Sequence, residues 1–130
     1  MNTKLVMISS ALVMAVCGIF LSFFPEEILN YMGAGSTKLP QVFLQILGAL
    51  YLGFAMLNWM AKANLIGGIY GRPVAIGNLM HFLVGALALI KVFFVNTDLK
   101  IILIPTIIYL LFSLLFATIV FGSPKKAAAN

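Results

Sequence analysis

"QVFLQILGALYLGFAMLNWMA", residues 41 to 61, runs without an Asp, Glu, Lys or Arg, and its reading decides the fold. A helix needs about 20 mostly apolar residues to cross the ~30 Å hydrocarbon core of a bilayer, and this stretch supplies them. Three further runs match it, roughly 4 to 24, 73 to 95 and 101 to 121. The chain is 63% hydrophobic and 8% charged, with a mean hydropathy of +1.14. A water-soluble fold of 130 residues has too little interior to hide so many apolar side chains. The sequence therefore predicts an all-α integral membrane protein. Its form is an antiparallel, up-and-down bundle of four transmembrane helices in a single domain over residues 1 to 130. The first run is read as a span and not a cleaved signal, because Leu5 to Phe24 exceeds an ordinary signal core and no small-x-small site precedes Pro25.

Upstream of the quoted stretch lies "SFFPEEILNYMGAGSTKLP", 22 to 40. Pro25 suits the first turn of a helix, Glu26 and Glu27 favour its positive end, and Gly33 offers a stop. About two turns of helix are predicted there, lying in the membrane interface. Downstream, "KANLIGGIYGRP", 62 to 73, turns the chain with Gly67, Gly68 and Gly71. So short a connection makes spans two and three antiparallel neighbours.

Within the second span, Ala49 and Gly53 form a small-xxx-small pair that lets another helix approach closely. Tyr51, Ala55, Asn58 and Lys62 share a narrow arc, and Trp59 sits at belt level. The third span carries Asn78, His81 and Gly85 on one face at about 100° per residue. Counting ~1.5 Å per residue, Asn58 lies about 6 Å below Lys62, Asn78 about 7 Å inside its own span and His81 about 12 Å. The two asparagines are thus at matching depth, and an amide bond between them is expected. In the fourth span Thr106, Ser113 and Thr118 are expected to bond back to their own helix.

Two readings of these polar residues stand side by side. Tyr51, Asn58, Trp59, Lys62, Arg72, Asn78 and His81 form a candidate ligand-binding pocket open to one leaflet, fit for a lipid headgroup, a quinone ring or a small anion. Alternatively, and with more weight, the asparagines and histidine join helices while Lys62 and Arg72 are ordinary flanking charges. No catalytic residue is assigned, because the serines and Cys17 have no evident base. No metal site is assigned either: His81 is the only histidine, and Glu26, Glu27 and Asp98 belong to the opposite face. One cysteine precludes a disulfide within the chain. Dispersed basic residues without a soluble module argue against nucleic acid.

The net charge of +5 reads as a topology signal. Lys4, Lys62, Arg72, Lys125 and Lys126 fall on one face without an acid, while Lys38, Lys91, Lys100 and every acid fall on the other. The excess of basic residues predicts that both termini are cytoplasmic, in a cell inner membrane.

The four spans, "FFPEEIL" closing the first helix and "LGALYLGFAMLNW" in the second together resemble the DoxX-like group of small four-helix bacterial membrane proteins. The first helix departs from that group in lacking its arginine and its glycine-lysine pattern. The resemblance implies an accessory or integral subunit, in some members linked to quinone-coupled oxidation, and carries over no catalytic residue. The expectation is a non-catalytic membrane protein: an accessory subunit of a larger membrane complex, or a lipid- or quinone-binding DoxX-like protein. Its partners are then membrane lipids and that complex. The alternative is a carrier of a small apolar or anionic molecule, made by homo-oligomerisation through Ala49 and Gly53. No cofactor is expected, and the reading leaves room for a bound lipid or quinone.

Overall fold

A computed structural model describes residues 2–35, 37–63, 71–95 and 100–122. The expectations placed on Gly67, Gly68, Asp98, Lys125 and Lys126 lie outside the described residues. Among the described residues five helices follow one another: α1 (Thr3–Phe23), α2 (Pro25–Tyr31), α3 (Lys38–Ala61), α4 (Arg72–Val95) and α5 (Leu103–Phe121), the last preceded by one 3₁₀ turn at Lys100–Ile102. Four segments are long and apolar enough to cross a membrane: Thr3–Phe23, Lys38–Ala61, Arg72–Val95 and Lys100–Phe121. The all-α class and the multi-pass membrane character therefore hold.

The ends of the helices follow from local chemistry. Apolar runs place two starts at 41 and 73, whereas α3 and α4 begin earlier, at Lys38 and Arg72. The first turn of any helix has N–H groups with no intrahelical acceptor, so Pro40 and Pro73 fit there without losing a bond. The short α2 has Pro25 at its start and both glutamates in its first turn. It stops at Gly33, whose φ of 67° is left-handed. There Gly33 N–H donates to Asn30 O at 3.1 Å and Ala34 N–H to Leu29 O at 3.0 Å, the paired bonds of a Schellman ending. Leu29 is buried and α2 packs on α3, while Tyr31 and Met32 are exposed.

The chain forms two compact units, residues 7–62 and residues 1–6 with 63–130. In the first, α1 presents Met7, Ser10, Ala11, Met14 and Gly18 as one buried stripe at helical spacing. Ser10 meets Asn58, while Gly18 and Ser22 meet Gly48, so α1 and α3 are antiparallel. Two glycines let them meet backbone to backbone. A Cβ on Gly48 stands 2.8 Å from Ser22 N and 2.9 Å from Gly18 O, and also runs into Ser22 Oγ. One on Gly18 stands 2.8 Å from Leu52 Cγ and 3.0 Å from Gly48 O. The close-approach pair inside this unit is therefore Gly18 and Gly48, a pair that the sequence reading missed. Ala49 and Gly53 face outward, and a Cβ added at Gly53 has nothing within 4 Å.

In the second unit α4 packs on α5 around aromatic rings. Phe82 is fully buried, stacked on Phe112 at 4.9 Å and Phe116 at 5.8 Å, with Tyr109 edge-on at 5.2 Å. Such pairs add about 0.5–1.5 kcal/mol beyond the area they bury. The Tyr109 ring occupies the space that a side chain at Gly85 needs: a Cβ there stands 2.6 Å from Tyr109 Cδ1 and runs into Cε1. Thr106, Ser113 and Thr118 bond to Ile102 O, Leu110 O and Leu115 O at 2.6, 2.9 and 2.7 Å, as expected of hydroxyls in an apolar helix.

Outer faces are mostly apolar. Leu5, Leu12, Val16, Ile19 and Phe23 on α1, and Ile104, Ile107, Leu111 and Leu114 on α5, are exposed, as suits helices surrounded by acyl chains. The glycine contacts set a clear contrast. Gly48→Ala should cost about 1–3 kcal/mol, because backbone atoms cannot move aside, whereas Gly53→Ala should stay within about 0.5 kcal/mol. Reversible unfolding in detergent micelles measures both, and equal costs would overturn the assignment of Gly48 to the helix contact.

Candidate functional site

The seven candidate residues divide between the units. Tyr51, Asn58, Trp59 and Lys62 belong to α3 and its end, and Arg72, Asn78 and His81 to α4. Their settings differ sharply. Tyr51, Asn58 and Asn78 are buried, Lys62 and His81 are half-buried, and Trp59 and Arg72 are exposed.

Asn58 sits in a small polar island facing α1. Its Nδ2 donates to Ser10 Oγ at 3.1 Å and lies 3.8 Å from Met14 Sδ, and Ser10 Oγ in turn donates to Met7 O at 3.0 Å. Asn58 and Ser10 are both completely buried. A primary amide carries two donors and one carbonyl acceptor, so at this depth it requires partners, and α1 supplies one. Sequence reasoning weighed Ser10 only as a nucleophile. The signal that points to its actual role is its place in the stripe of Met7, Ala11 and Met14.

Asn78 is also completely buried, and its Nδ2 donates to Val74 O one turn earlier at 2.9 Å. His81 Nε2 lies 3.1 Å from Tyr109 Oη, with the two ring centroids 5.4 Å apart. Phe82 meets the imidazole edge-on at 5.2 Å. Tyr109 is the second residue that the sequence did not yield. It stands in an otherwise apolar helix, and only its position opposite Gly85 explains how the ring comes close enough to reach the imidazole.

Near the end of α3, Lys62 Nζ lies 3.0 Å from the centroid of the Trp59 ring. A cation over an indole face is held by the ring quadrupole. Here a formal charge meets an aromatic surface within a single unit. Among the described residues no buried side-chain N or O lacks a hydrogen-bond partner, and no three His, Cys, Asp or Glu come together. Chemically, then, the buried amides and the imidazole make fixed hydrogen bonds between or along helices, and the charged groups lie toward the helix ends.

Hydrogen bonds between membrane helices contribute on average about 0.6 kcal/mol, at most about 1.7. A double-mutant cycle of Ser10→Ala with Asn58→Leu should therefore return a coupling in that range. Likewise His81→Ala and Tyr109→Phe should lose less together than the sum of their single losses. Strict additivity in either cycle, measured by reversible unfolding, removes that bond from the account.

Compared with known proteins, the chain matches no family model, no curated protein and no solved structure.

Proposed function

We propose that the chain is a non-catalytic protein of the cytoplasmic membrane that serves as a small subunit, packing through its exposed apolar helix faces against a larger membrane complex. The excess of basic residues in the sequence on the side of both ends supports a cytoplasmic position for them. The observation that carries the reading is how the described polar side chains are used. Asn58 and His81 bond across helices to Ser10 and Tyr109, which suits a helix-joining role, and Asn78 bonds within its own helix to Val74. Most of the side chains left exposed along the spans are apolar. α3 carries a shallow groove over Ala49 and Gly53, walled by Ile46, Leu50, Phe54 and Leu57. Without a hydrophobic force between helices in lipid, small residues that permit close packing are what bring helices together. The resemblance to DoxX-like proteins points the same way.

The second reading, an oligomeric carrier of a small apolar or anionic molecule, draws on the same groove, which is open enough to receive the matching face of another copy. Native mass spectrometry after gentle extraction separates the two. The subunit reading expects the chain at fixed stoichiometry with a larger protein. A symmetric homo-oligomer overturns it in favour of the carrier, and a monomer that retains a small molecule overturns it in favour of a lipid- or quinone-binding protein.

A further inference from the structure

We propose that the end of α3 binds the phosphate of an anionic phospholipid through Lys62 and Trp59. The proposal rests on α3 crossing the bilayer and not on the subunit role above. Both residues belong to one unit and stand at the last turn of a membrane-length helix, Trp59 inside it and Lys62 as its C-terminal cap. Lys62 is half-buried and Trp59 is 46% exposed. With Nζ 3.0 Å from the ring centroid, the ammonium is already held in place, so binding an anion costs little further side-chain freedom. Between them the ammonium and the indole offer N–H donors only, and a phosphodiester offers acceptors.

Neither acid among the described residues lies at the end of α3 that carries Lys62. The only acidic side chains are Glu26, Glu27 and Asp98. Glu26 and Glu27 open α2, which follows the end of α1, while Lys62 follows the end of α3. Because α1 and α3 are antiparallel, the glutamates and Lys62 lie at opposite ends of that pair. A zwitterionic lipid brings its own cation to its phosphate, but an anionic one leaves that charge for the ammonium.

Trp59 is the chain's one tryptophan, so its fluorescence reads the lipid beside this pair. The full chain is reconstituted in phosphatidylcholine vesicles that contain brominated phosphatidylcholine or, at equal mole fraction, brominated phosphatidylglycerol. The expected result is stronger quenching by the anionic lipid, with a relative association constant of about fivefold, the size of one lysine's attraction to an anionic surface. Lys62→Gln and Lys62→Met should both bring the two lipids to parity while leaving quenching by phosphatidylcholine unchanged, and Lys62→Arg should keep the preference. Parity in the unaltered chain overturns the proposal, as does a preference that survives loss of the charge. Quenching by neither lipid overturns the crossing of α3 together with the site. A preference abolished by soluble glycerol phosphate assigns the pair to free phosphate and overturns the lipid.

Discussion

Inside a bilayer no water is available to take a backbone N–H or C=O, so each crossing segment has to satisfy its own backbone. Everything else in this chain follows from that demand. The long segments are helices because a lone strand leaves its ladder groups unpaired. Pro25, Pro40 and Pro73 stand in first turns, where no bond is lost. The chain leaves helical geometry in the Schellman ending at Gly33, between membrane-length segments.

Once helices have formed, the force that folds soluble proteins is missing between them, since acyl chains are as apolar as leucine. Cohesion then depends on how closely two surfaces fit. The two units use different solutions. α1 and α3 bring backbones together at Gly18 and Gly48 and fix their register with the Ser10–Asn58 bond. α4 and α5 interleave rings around Phe82 and give up a side chain at Gly85 for Tyr109. One is a contact of small residues and the other of large ones. A hydrogen bond at each, Asn58 with Ser10 and His81 with Tyr109, selects a rotation more than it stabilises.

Spans and short helix were legible because their signals are one-dimensional: uninterrupted apolar length, a proline that begins a helix and a glycine that ends one. Contacts were not, because in lipid the inner and outer faces of a helix are both apolar and periodicity no longer tells them apart. Gly48 and Gly53 look equivalent in "LGALYLGF", yet one touches α1 and the other faces outward. Asn58 was legible as a buried amide, but its partner Ser10 was not, since a serine in an apolar helix usually satisfies itself. Tyr109 had no pattern around it at all. Of the candidate site, the residues that need partners could be read, and the identities of those partners came from three dimensions.

Division into two compact units bears on how such a chain is made. Residues that close the α1–α3 contact, from Ser10 and Gly18 to Gly48 and Asn58, are all present once about half of the polypeptide has left the ribosome. Domains generally fold in order of synthesis, so the first pair has what it needs to zip shut in the membrane while α4 and α5 are still being translated. A glycine contact suits that schedule, because two bare backbones meet without first arranging a side chain.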